Sequence, residues 1–98
     1  MTDQVTVIFD DTVWHDVLRA RSLPSPVAVS PAAWERLTRA APTSHEKPTP
    51  METRVATFTP AQAKELEGWL GGVAGRADAP ASLGQALAMV REGIRLAQ

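Results

Sequence analysis

Three carboxylates and one imidazole stand close together near the start of the chain, at Asp10, Asp11, His15 and Asp16. Asp11 and His15 are four residues apart, so they share one face if this segment is a helix. A carboxylate beside an imidazole can bind a metal ion or act as an acid/base pair. This Asp/His cluster therefore supports the hypothesis of a small metal-dependent or acid/base enzyme, with Asp11 and His15 as the candidate metal ligands.

A structural explanation of the Asp/His cluster is the one we favour. Aspartates at a helix start accept hydrogen bonds from open backbone amides, and a histidine one turn later is then an exposed residue beside a carboxylate. A metal site needs a third ligand, and His45 or Glu46 could add it only from a Pro-rich segment that holds ligands poorly in place. We therefore predict no catalytic residue, no bound metal and no cofactor.

Other signatures of catalysis are missing from the sequence. The chain has no cysteine, which excludes disulfides, thiolate metal ligands and a cysteine nucleophile. It contains neither a G-x-S-x-G motif nor a phosphate-binding glycine loop. The glycines at 71, 72 and 75 follow a predicted helix, whereas a phosphate loop precedes one. A binding or assembly module is thus favoured over an enzyme.

Charge and length limit the possible partners. The 98 residues carry a formal net charge of -1 and no basic cluster, which argues against a partner held by its phosphates. The last predicted helix offers only Arg91 and Arg95 as cations, with Glu92 between them, and the connection before it is longer than the turn of a helix-turn-helix motif. A DNA-binding or antitoxin-like regulator is therefore only the third hypothesis.

The elements that position these residues begin with the strand Val5–Phe9, which is rich in β-branched and aromatic residues. A helix follows from the aspartates to Arg21, and Pro24 and Pro26 end it. Residues 27–29 could form a brief edge strand. Ser30 and Pro31 are typical of a helix start and open the second helix.

The second half of the chain predicts a strand and a helical hairpin. Arg54–Phe58 reads as a strand, and Thr59 with Gln62 forms a capping box for a helix that extends to about residue 73. Ser82 caps the last helix. Between the halves, residues 42–53 are rich in proline and nearly free of apolar side chains, which indicates a solvated loop or linker.

These elements predict one α+β domain over residues 1–98, with about four helices and a minimal sheet of the two strands Val5–Phe9 and Arg54–Phe58. The three tryptophans fall on the apolar helix faces, so we expect them in the core. The C-terminal hairpin is generic, and no family is identified from it. No leader and no membrane-spanning stretch is visible, so a bacterial cytoplasmic protein without membrane contact is expected.

The function predicted from these features is non-catalytic protein binding or assembly, through another protein, through self-association as a homodimer, or both. The last helix has apolar residues at alternating spacings of four and three, a pattern typical of packing between helices. We expect the two C-terminal helices to supply much of a dimer contact. The alternative is a monomeric core, in which the same apolar face docks against residues 1–41. The candidate interface residues are Leu83, Leu87, Met89, Val90, Ile94 and Leu96.

Overall fold

A computed structural model describes residues 4–23, 25, 27–42 and 53–97 of the chain. The elements are, in order, β1 (Val5–Asp10), α1 (Asp11–Arg19), a 3-10 turn (Ala20–Ser22), α2 (Pro31–Thr38), β2 (Ala41–Pro42), β3 (Thr53–Phe58), α3 (Pro60–Val73) and α4 (Leu83–Ala97). The predicted α+β class with a C-terminal helical hairpin is confirmed. Pro42 and Thr53, the first and last residues of the predicted loop, belong to strands in the structure. Residues 43–52 lie outside the described part.

The sheet is antiparallel throughout, in the order β1-β3-β2. β1 pairs with β3 from Val5 opposite Phe58 to Asp10 opposite Thr53. Burial alternates strictly along β1, so that its odd-numbered residues face the core and its even-numbered residues face outward. One sheet face therefore packs against the helices, and the outward-facing residues of β1 are exposed.

The third strand is not the one that the sequence suggested. Residues 27–29 form no strand, and Val27 instead packs on α3, where its Cγ1 would lie 3.1 Å from a Cβ added at Gly68. The sheet edge is β2, whose Ala41 pairs with Val55 of β3. Proline is tolerated at this edge because no further strand of the described residues pairs with β2 and requires the missing amide hydrogen.

The starts of α2 and α3 follow the local signals in the sequence, whereas the expected aspartate cap of α1 is wrong, because Asp10 makes no capping hydrogen bond. Ser30 Oγ accepts a hydrogen bond from the Ala33 amide at 3.4 Å. Thr59 Oγ1 accepts from the Gln62 amide at 3.2 Å, and Gln62 Oε1 accepts from the Thr59 amide at 3.0 Å. The predicted capping box is thus confirmed, and it satisfies two backbone amides at the start of α3.

A single hydrophobic core joins the sheet to all four α-helices. Its fully buried side chains with the largest volumes are Phe9, Phe58, Leu37, Leu66, Leu70 and Leu83. The tryptophans are also buried, as predicted, and the ring centroids of Trp34 and Trp69 lie 4.9 Å apart in an edge-to-face arrangement. Within the described residues, the helices lack the combined length and apolar character required to cross a bilayer.

Candidate functional site

The Asp/His cluster is only partly assembled in the structure. Asp11 is the first residue of α1, and His15 Nε2 lies 3.4 Å from Asp11 Oδ2 one turn later. The other Asp11 carboxylate oxygen accepts a hydrogen bond from Arg54 Nε at 2.7 Å. Both oxygens of the candidate metal ligand are therefore already engaged by groups of this chain.

Arg54 links three parts of the fold at this point. Its guanidinium carbon lies 4.1 Å from the centroid of the Trp14 ring, and its Nη1 donates to the Ala40 carbonyl at 3.3 Å. The hydrogen bond from Arg54 is the main cause that lowers the pKa of Asp11 below its ordinary value, although partial burial opposes it. The carboxylate is held in its charged form as a structural anchor.

The remaining two members of the Asp/His cluster, Asp16 and Asp10, do not join the contact between Asp11 and His15. Asp16 Oδ2 accepts a hydrogen bond from Ser82 Oγ at 2.6 Å, which ties α1 to the start of α4. Asp10 is exposed, and its side chain makes no capping hydrogen bond to α1. In the described ranges, no group of three or more Asp, Glu, His or Cys residues could hold a metal ion. His45 and Glu46 lie outside those ranges.

A second feature is a groove between β1 and α4, which sequence reasoning did not anticipate as a unit. It has a volume of about 410 Å³ and a mostly apolar lining. Two outward-facing residues of β1 and six residues of α4 form it, namely Thr6, Ile8, Gln85, Ala88, Met89, Glu92, Gly93 and Leu96. We call this surface the β1/α4 groove.

Local structure explains how the β1/α4 groove arises. The alternation of β1 turns Thr6 and Ile8 away from the core. Along α4, Gln85, Met89, Glu92 and Leu96 recur at spacings of four and three, so they share a flank beside the buried face of the helix. A smaller cavity of about 240 Å³ extends the groove toward Gln4, which precedes β1, and toward Ala97, the last residue of α4.

The groove exposes two large hydrophobic side chains. Ile8 is 56% exposed and Leu96 is 69% exposed, and the third such residue in the described part, Val27, is only 36% exposed and packs on α3. Glu92 is the charged residue of the lining, and it already forms an ion pair with Arg95. The surface is therefore apolar and carries no charge that lacks a partner within the chain.

The predicted interface residues separate into three groups by burial. Leu83 and Val90 are completely buried in the core of the chain itself. Leu87 and Ile94 are half-buried against that core. Met89 and Leu96 line the β1/α4 groove, where Met89 is half-buried and Leu96 is the most exposed of the large hydrophobic residues described. The apolar stripe of α3 is also buried in the core, and β1 supplies the other wall of the groove that Met89 and Leu96 line.

A second groove lies between α2 and β3 and has a different character. Its volume is about 580 Å³, and its lining includes Glu35, Arg36 and Arg39. Arg39 pairs with Glu35 at 2.7 Å, and Arg36 donates to the Thr57 carbonyl at 3.4 Å. Its charged groups bind one another or the backbone, so the groove presents no ready site for an anion.

Comparison with protein-family models, with curated proteins and with solved structures finds no match. The function must therefore be inferred from the geometry of the chain itself. The β1/α4 groove and the Asp11–His15–Arg54 contacts are the two arrangements from which such an inference can start.

Proposed function

We propose that this chain is a non-catalytic protein-binding or assembly module and that the β1/α4 groove is its binding surface. The observation that carries this proposal is the exposure of Ile8 and Leu96 on the two walls of one apolar groove. Covering apolar surface stabilises a complex by about 25 cal/mol for each Å² removed from water. Two large aliphatic side chains on a common groove are typical of a binding surface rather than of scattered exposure.

The chemistry of the groove favours a protein over other ligands. Its polar groups are few, namely Thr6, Gln85 and the paired Glu92, and they offer no cluster of acid, base or nucleophile. The nearby cations are also committed, since Arg95 binds Glu92 and Arg91 lies 3.6 Å from Glu67. A nucleic acid would therefore find no unpaired cation among the described residues near this surface. As part of the same proposal, we place this activity in the bacterial cytoplasm, a reducing compartment compatible with a chain without cysteine.

The enzyme hypothesis has the Asp11–His15 contact in its favour. Against it, Arg54 occupies one oxygen of Asp11, and Asp16 is bound to Ser82. Elemental analysis of protein purified without a histidine tag would test it directly. Stoichiometric metal that is lost in Asp11→Asn would support the enzyme hypothesis over the one proposed here.

The proposal is tested by comparing proteins captured from the native host by the wild type, by Leu96→Glu and by Ala61→Glu. Ala61 is exposed in the first turn of α3, away from the groove, so it controls for the added carboxylate. We expect the wild type and the control to retain one binding protein that Leu96→Glu loses. A further copy of this chain counts as such a binding protein. Equal capture by all three baits would overturn the proposal.

A further inference from the structure

We draw no further inference here: the strongest candidate, the apolar β1/α4 groove with Ile8 and Leu96 exposed on its two walls, belongs to the function already proposed, and nothing in the described residues shows what covers it.

Discussion

The carbonyl oxygen of Thr6 and the α-carbon of Gly93 are in such close contact that α4 has no space for a side chain at that position. A Cβ built on Gly93 would lie 2.6 Å from the Thr6 oxygen and 3.0 Å from Val7 Cγ2. This contact brings α4 directly against β1, and Thr6 and Gly93 both line the β1/α4 groove. The backbone of a strand is rigid, so neither neighbour can move aside at low cost.

Gly93→Ala should therefore destabilise the protein, although alanine is the better helix former. We expect a loss of about 1–3 kcal/mol, the usual cost of overpacking a close contact. Gly84→Ala is the matched control on the same helix, because nothing lies within 4 Å of its added Cβ. That control should gain up to about 1 kcal/mol from helix propensity. Urea denaturation measures both, and equal shifts in the two variants would show that α4 is not seated by Gly93.

Burial along α4 predicts an order of stability losses. Leu83 is fully buried in the core, whereas Leu87 is half-buried at its margin. Leu83→Ala should cost about 2–5 kcal/mol, the range for a buried leucine that leaves a cavity. Leu87→Ala should cost less, because water already reaches part of its side chain. Chemical denaturation of both variants checks the order, and a larger loss for Leu87→Ala would contradict the described packing of α4.

The sequence predicted what is determined locally. The capping box of Thr59 and Gln62 and the inward residues of β1 depend on neighbours in the chain, so their spacing was enough to place them. The contact of Arg54 with Asp11 joins residues 43 positions apart, and only the register of β3 against β1 brings them together. The same register leaves Ile8 on the outward face of the sheet. The alternation of inward and outward residues along β1 was the signal in the sequence for this position.

The prediction of a third strand at residues 27–29 was wrong for a related reason. Val27 and its neighbours have the composition of a strand, but a strand also needs an edge to pair with. Val27 is placed against Gly68 of α3, and the edge of β3 is taken by Ala41 and Pro42. The apolar pattern of α4 likewise could not separate residues buried in the chain itself, such as Leu83, from residues left exposed, such as Leu96.

The Asp11–Arg54 contact predicts how stability depends on pH. The pKa of Asp11 is lowered in the folded chain, mainly by the hydrogen bond from Arg54. A lowered folded pKa means that the stabilisation is fully present above the unfolded pKa, about 3.9. It is lost as the pH falls through the folded value, because the protonated carboxyl no longer pairs with the guanidinium. Thermal unfolding from pH 6 to pH 2 should show this loss in the wild type.

Asp11→Asn should flatten that acid dependence and lower stability at neutral pH. His15→Ala is the matched control, since His15 is 51% exposed and contacts the same carboxylate. We expect its effect at neutral pH to stay within about 0.5 kcal/mol, as for other surface substitutions. An unchanged acid profile in Asp11→Asn would show that another carboxylate controls the transition. A large effect of His15→Ala, or a metal that this variant fails to bind, would instead favour the enzyme hypothesis.

The hydrogen bond from Ser82 to Asp16 joins residues 66 positions apart and fixes the start of α4 on α1. A double-mutant cycle with Ser82→Ala, Asp16→Asn and the double variant isolates their interaction. We expect a coupling energy of about 1.5–3 kcal/mol at neutral pH, the range for hydrogen bonds to a charged group, reduced toward the lower end because the site is only partly buried. Ser25→Ala and Asp16→Asn form the control cycle and should be additive, because Ser25 binds the Val27 amide whereas Asp16 binds Ser82. Additivity in the Ser82 cycle as well would mean that the buried packing of α4 holds the helix in place, and the polar contact would then have no measurable part in orienting the helix that carries Leu96.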